Sequence, residues 1–461
     1  MTFKTGGLIV LLSLIPLSLT LTLRDSSCPS GKNYGSDSNL YWDLAENLLH
    51  RHALVFSPGV GYPGIGVRSQ NPALIDDLCI LPGYPALLVP FVRFGEGVGP
   101  YVLAYLLYVL LSLLVFALAK ELFGAALSKR AFWGWFMVYQ ILNPTWIVQL
   151  RALAQDLAAT TLVAFFLWVV VRCWQSQRVT AKNLLAIALG TGVALSVRTN
   201  LLAFIGSMLV LLALLYWRDR RPRMMALPAV GLALAVSLMG VWGLHIQHLT
   251  GRFSFGTNAG YCMYFNYMSP HVPPAAIDKE VDAMTRTFNQ ELERTGSGNQ
   301  ASIQTASAYQ RSALDFIKAY PAEASKSMAQ SLQATFIGRD YFWLPRLWLL
   351  RLRDLPLEPY ADRPYHEQTQ GLSKPAATAA LFLQLLVYGV YILIPALALF
   401  LAAFFAREEP LLRFLAWSAI VFLVATGLII GQARYRMPVE VVMYLCALWI
   451  CSRSTAGRAA G

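Results

Sequence analysis

Ten apolar runs, most of them near the length that crosses a bilayer, constrain this chain more than any other feature. They fall at about residues 6–23, 98–119, 131–148, 155–174, 183–199, 201–217, 225–247, 376–405, 411–430 and 438–451. A hydrocarbon core of about 30 Å is spanned by roughly 20 apolar residues in a helix. Inside lipid each backbone N–H and C=O must be satisfied within its own segment, so such runs are helices. Only 13% of the 461 residues are charged while 56% are apolar, a balance foreign to a soluble domain. The expected fold class is therefore an all-α polytopic membrane protein.

The short loops give the orientation. Lys4 precedes the first run. Lys120, Lys129 and Arg130 separate the second from the third, and Arg172, Arg178 and Lys182 the fourth from the fifth. Arg218, Arg220, Arg221 and Arg223 separate the sixth from the seventh. Arg407 and Arg413 flank the gap after residue 405, and Arg453 and Arg458 lie in the tail. Every second short loop is basic, as positive-inside topology requires with both termini cytoplasmic. This pattern accounts for much of the formal net charge of +12 and excludes a nucleic-acid reading. The first run lacks a small-x-small cleavage site and reads as an uncleaved helix. Two long segments then fall outside the cytoplasm, residues 24–97 and 248–375. They divide the chain into an N-terminal membrane module (1–247), an outer helical module (248–375) and C-terminal membrane helices (376–461). In the outer module Met284, Phe288 and Leu292, then Leu314 and Ile317, recur at helical spacing.

The stretch Gly35 to Leu49 opens the first outer segment. Ser36 suits a helix start, and Leu40, Leu44 and Leu48 repeat every four residues. Asp37 and Tyr41 lie one turn apart, so a carboxylate stands at a helix start beside the membrane. On these residues alone, Asp37 can serve simply to favour the helix terminus. On the predicted topology Asp37, Asp76, Asp77, Asp156, Arg198, Arg434 and Arg436 all fall near the outer membrane surface. Ionisable groups at such positions are costly, and helix-end snorkelling explains one more readily than seven. A carboxylate can take a proton from an attacking hydroxyl. Arginine offers a charged planar fork that matches phosphate oxygens. Together they suit glycosyl transfer from a lipid phosphate.

Cys28 and Cys79, the cysteines of the first outer segment, could pair in an oxidising compartment or stand as two thiols. His245 and His248 lie three residues apart without a third ligand, which fits an interfacial pair better than a metal site. No metal-spaced Cys/His cluster and no Cys-x-x-Cys occurs. No cofactor is expected, although a divalent metal remains compatible with the chemistry. Residues Gly256 to Tyr261, with Asn266, read either as a lid over a sugar or as an ordinary turn.

Five pieces in order resemble the GT-C glycosyltransferases, specifically the family 39-like group of protein O-mannosyltransferases and aminoarabinose transferases. They are Asp37 in Ser-Asp-x-x-x-Tyr-x-x-x-Ala; Pro82-Gly83-Tyr84-Pro85; Asp156 after Asn143-Pro144; Gly192 to Thr199 with Arg198; and Arg434-Tyr435-Arg436-Met437-Pro438. The chain departs from that group in having Leu81 where an arginine is usual and Ala154-Gln155-Asp156 where a Glu follows Ser or Thr. The resemblance implies a GT-C fold of about ten transmembrane helices with two large extracytoplasmic loops. It also implies an inverting transfer from a polyprenyl- or dolichyl-phosphate sugar to a hydroxyl of a lipid, protein or glycan acceptor. Asp37 would be the general base and Asp156 a supporting acid. Arg434 and Arg436 would take the donor phosphate, Tyr84 and Tyr435 would line the pocket, and Tyr41, Asp76, Asp77 and Arg198 complete the candidate substrate-binding set. The expected location is a bacterial inner membrane with the site facing the periplasm. A transporter or flippase of lipid-linked sugars would instead favour inverted repeats and broken helices at mid-membrane. A glycan polymerase or ligase would rely on a later outer loop rather than an acid just after the first helix.

Overall fold

The structure, a computed structural model, describes residues 3–22, 36–57, 61–62, 67–68, 75–95, 98–124, 128–151, 155–176, 178–295, 298–337, 374–429 and 436–459. Six helices are long and apolar enough to cross a membrane: Gly99–Phe123, Gln155–Ser176, Leu201–Arg218, Pro222–Thr250, Leu381–Phe405 and Pro410–Ile429. Lys4–Thr20, Gly83–Val92 and Ala181–Val197 are shorter apolar helices. The chain is an integral, multi-pass, all-α membrane protein, as the apolar runs require.

The first run is two helices, α1 (Phe3–Leu12) and α2 (Leu14–Thr22). Pro16 has no N–H for the carbonyl four residues back, and the break falls at Ser13, whose hydroxyl donates to the Ile9 carbonyl. After α3 (Ser36–Arg51) come four two-residue strands, β1 (Val55–Phe56), β2 (Gly61–Tyr62), β3 (Val67–Arg68) and β4 (Ile75–Asp76). β1 pairs antiparallel with β4, setting Val55 opposite Asp76, and β2 pairs with β3. Helix α4 (Gly83–Val92) follows and packs on α3.

The membrane core is built from α5 (Gly99–Phe123), α8 (Gln155–Ser176), α9 (Ala181–Val197), α10 (Leu201–Arg218) and α11 (Ala226–Thr250). α8 is the axis. It packs against α5 and α9, and 72% of its apolar window is buried, against 33% for the segment carrying α11. α11 accordingly turns Val236, Val241 and Leu244 outward, each more than half exposed, a face suited to lipid and not to water.

The run expected at 131–148 is not one continuous span. α6 (Lys129–Phe136) passes into a π turn, Met137–Ile141, and the chain then breaks before α7 (Pro144–Arg151). Pro144 disfavours helical backbone at Asn143, and the Asn143 side chain bonds the freed groups, accepting from Thr145 N–H and donating to the Tyr139 carbonyl.

The segment expected to form an outer module is helical as its spacing predicts: α12 (Asn258–Tyr267), α13 (Pro274–Thr295), α14 (Asn299–Ala319) and α15 (Pro321–Ile337). Phe288 and Leu292 are buried as that spacing requires. The C-terminal helices are α16 (Lys374–Tyr388), α17 (Ile394–Phe405), α18 (Pro410–Ile429) and α19 (Met437–Ala459). A π turn, Gly389–Leu393, joins α16 to α17 just before Pro395. α18 lies against α10 and α15, and α19 lies against α8 and α17.

Candidate functional site

Helix α3 buries Leu40, Tyr41, Trp42, Leu44 and Ala45, one apolar face with its neighbours. Asp37 falls in the first turn of this helix, and its side chain lies outside the described residues. One turn on, the Tyr41 ring meets the Tyr84 ring edge to face, with centroids 5.0 Å apart and planes at 89°. The later acids of α3 have local partners. Glu46 accepts from the Trp42 indole at 2.7 Å, and Asp43 accepts from Ser57 N–H at 2.8 Å.

Tyr84 is held where it is by the glycine before it. A Cβ on Gly83 would stand 2.4 Å from the Ser196 Oγ and 2.5 Å from the Ser196 backbone carbon and oxygen. Only glycine lets the start of α4 approach the end of α9 this closely. Tyr84 is buried and lies within electrostatic reach of Asp156. Asp156 sits in the first turn of α8 and forms an ion pair with Arg198, which caps the end of α9. An acid at a helix start and a base at a helix end each complement the local dipole. Both side chains are about 5% exposed, so neither charge is tolerable without the other. Three of the five sequence pieces, separated by up to 114 residues from Tyr84 to Arg198, thus meet at one point, and Tyr41 adds the helix that carries Asp37.

Asp76 and Asp77 are bound elsewhere, at a joint between the two outer segments. Asp76 accepts from the Asn299 amide at 2.8 Å, at the start of α14. Asp77 is buried, and its Oδ1 accepts from the Cys79 and Ile80 N–H groups at 2.8 and 2.9 Å. Burial raises its carboxyl to about 7, only partly opposed by these two bonds. Between them and the next turn, the Leu78 carbonyl accepts from Thr257 N–H at 3.2 Å. Gly256 has φ +126°, and a Cβ there would stand 2.9 Å from that same carbonyl. The adjoining Gly260 presses α12 onto α14, its Cβ position 2.2 Å from the Ala306 carbonyl oxygen. The stretch 256–261 is therefore a seated joint rather than a free lid.

Arg436 is fully buried. Its Nε donates to Glu440 Oε1 at 3.0 Å, and its Nη1 donates to the Thr335 and Phe336 carbonyls at 3.4 and 3.2 Å. Its Nη2 is buried and has no hydrogen-bond partner among the described residues. Tyr444 donates to Glu440 Oε2 at 2.9 Å and receives a bond from the Asn143 amide at 2.8 Å. Arg434, Tyr435 and Cys28 lie outside the described residues. The residues that sequence reasoning missed are Glu440, Tyr444 and Asn299. Glu440 was readable as an acid one turn after Arg436 in an otherwise apolar run. Among the described residues no group of three or more His, Cys, Asp or Glu could hold a metal ion. His245 lies over the Trp242 ring, with centroids 5.3 Å apart.

No protein-family model and no curated protein matches the chain. Solved structures do show likeness. The archaeal oligosaccharyltransferase AglB from Archaeoglobus fulgidus, in complex with an inhibitory peptide and a dolichol-phosphate, aligns with 100% of this chain and 52% of its own, at 14% identity and a TM-score of 0.48. The apo form of the Archaeoglobus fulgidus enzyme aligns with 98% of this chain and 51% of its own, at 15% identity and a TM-score of 0.49. ArnT from Cupriavidus metallidurans bound to undecaprenyl phosphate aligns with 98% of this chain and 78% of its own, at 14% identity and a TM-score of 0.41. Both are GT-C fold membrane enzymes, the group whose motifs this sequence resembles. The chain spans about half the length of the archaeal structures, and at this identity the likeness is one of fold outline alone.

Proposed function

We propose that the chain is a membrane glycosyltransferase that moves a sugar from a polyprenyl- or dolichyl-phosphate donor to an acceptor hydroxyl on the extracytoplasmic side, with inversion. The observation that carries this reading is the meeting of Tyr84, Asp156 and Arg198 at one buried ion pair between α8 and α9, with Tyr41, from the helix that bears Asp37, against the Tyr84 ring.

In this reading Asp37 takes the acceptor proton as the hydroxyl oxygen attacks the anomeric carbon. The bond from that carbon to the phosphate oxygen breaks, and the lipid phosphate leaves with the electron pair, from the opposite face. Arg434 and Arg436 receive its charge. Arg436 supports this role with a guanidinium nitrogen, Nη2, that has no hydrogen-bond partner among the described residues. Asp156, paired with Arg198, stands within electrostatic reach of Tyr84, whose ring meets Tyr41 on the helix bearing Asp37. Asp76 and Asp77 act on the site through the turn that precedes Pro82, and their part in binding is indirect. The acceptor is a lipid, protein or glycan, and the sugar is a hexose or pentose. The site faces the periplasm of a bacterial inner membrane.

The test is transfer of labelled sugar from a polyprenyl-phosphate donor in membranes, wild type against Asp37→Asn. The expected loss is about 10²–10⁴-fold, the usual worth of a positioned base. Unchanged transfer in Asp37→Asn would remove Asp37 from the mechanism, and no transfer by the wild type from any such donor would refute the reaction class.

A further inference from the structure

A permanently charged side chain with no exposure at a membrane helix start needs a counter-charge and fixed geometry. Arg436 has both, and they come from one chain of side chains. Glu440 Oε1 holds Nε, and Glu440 Oε2 receives the Tyr444 hydroxyl. Tyr444 in turn receives the Asn143 amide. The Tyr444 ring stacks on Tyr139, with centroids 5.0 Å apart at 26°, and its backbone carbonyl accepts from the Trp135 indole at 2.9 Å. On the other side, the carbonyls of Thr335 and Phe336 at the end of α15 hold Nη1. The guanidinium is thus fixed along two of its three nitrogens, and the third is buried with no hydrogen-bond partner among the described residues.

From this arrangement we infer that Glu440, braced by Tyr444 and Asn143, is a positioning residue that aims the Nη2 edge of Arg436 at an anionic ligand. A neutral ion pair alone would be satisfied by any rotamer that keeps Nε near a carboxylate. The bracing of the second carboxylate oxygen by Tyr444, itself held by Asn143 from the break before α7, across 301 residues of sequence, fixes which edge is left over. The ligand chemistry is a phosphate monoester or diester, because its oxygens match an arginine N–H edge. The inference rests on Arg436 belonging to the donor-phosphate side of the proposed reaction. It predicts that the brace acts only through Arg436, on donor binding and on the charge that the leaving phosphate gains, since neither Glu440 nor Tyr444 takes part in the bond changes.

The experiment measures donor KM and kcat for wild type, Glu440→Gln and Tyr444→Phe in reconstituted full-length protein, and thermal stabilisation of each by undecaprenyl phosphate. The expected result is a donor KM raised about ten-fold in Glu440→Gln and about three-fold in Tyr444→Phe, with kcat lowered in the same order and by no more than KM rises. Stabilisation by undecaprenyl phosphate should shrink in the same order, and Glu440→Asp should restore part of it. A merely structural role would lower the yield of folded protein and leave KM and ligand stabilisation of the folded fraction unchanged, and that outcome overturns the inference. If Glu440→Gln does not fold, Tyr444→Phe alone decides by the same criteria. A wild type that binds undecaprenyl phosphate but transfers no sugar refutes the proposed reaction while the binding arm still judges Glu440. A wild type that is not stabilised at all refutes the anion site itself.

Discussion

Replacing Gly83 with alanine tests whether closeness between α4 and α9 sets the candidate site. The new Cβ would start 2.5 Å from the Ser196 backbone carbon and oxygen, where ordinary contact begins at 3.4 Å. The Ser196 hydroxyl can rotate away, but the backbone cannot. The helix ends must therefore separate by about 1 Å, the difference between those two distances. Overpacking of this kind costs about 1–3 kcal/mol. The same shift carries Tyr84 away from Asp156, and a misplacement of about 1 Å at a reacting geometry costs roughly 10²-fold in rate. Gly240 supplies the control, because a Cβ there meets nothing within 4 Å. Alanine at that mid-helix position should be neutral or stabilise by up to about 1 kcal/mol. Thermal unfolding in detergent and sugar transfer in membranes read the two consequences. Gly83→Ala with wild-type stability and wild-type transfer would refute the claim that this contact positions Tyr84.

Two further outcomes follow from the ion pair and the joint. Arg198→Met strands the buried Asp156 and should destabilise the fold by about 3–5 kcal/mol, whereas Arg198→Met with Asp156→Leu should recover most of that stability while remaining inactive; chemical denaturation of all four combinations measures the coupling. Asp77 is lifted by burial from 3.8 to about 7, so between those values the folded chain keeps a proton that the unfolded chain releases. Stability therefore falls as pH rises through that window and is lowest above about 7. Asp77→Asn keeps the oxygen that accepts from Cys79 and Ile80 and cannot ionise, so its melting temperatures at about pH 5 and about pH 8 should lie closer together than those of the wild type.

The membrane class was legible because length and apolarity leave a buried backbone no option but the helix. The helix at Ser36–Arg51 and the outer helical module were legible from the spacing of Leu40, Leu44, Phe288 and Leu292. The break before Pro144 was written in the sequence, yet hydropathy averages over it and makes residues 131–148 look like one span. The short strand pairs escaped because two-residue strands carry no alternation to read. The pair Asp156–Arg198 was visible only as two charges on one side. Their contact depends on how α8 and α9 pack side by side, and the approach of Tyr84 to them depends on a missing side chain at Gly83. Glu440 was overlooked because an acid four residues after an arginine passes for routine helix-end charge.

The joint around Leu78 has a mechanical consequence. Asp76 is tied to the start of α14, Leu78 to the segment before α12, and Asp77 stiffens the turn between those ties and Pro82. Four residues beyond the last tie, counting from Ile80, stands Tyr84. The outer module and the aromatic wall of the cluster are thus coupled through a linkage too short and too well bonded to absorb slack. A displacement of the helical module is passed to Tyr84 through this linkage, so the alignment of the cluster depends on how steadily α12 and α14 are held.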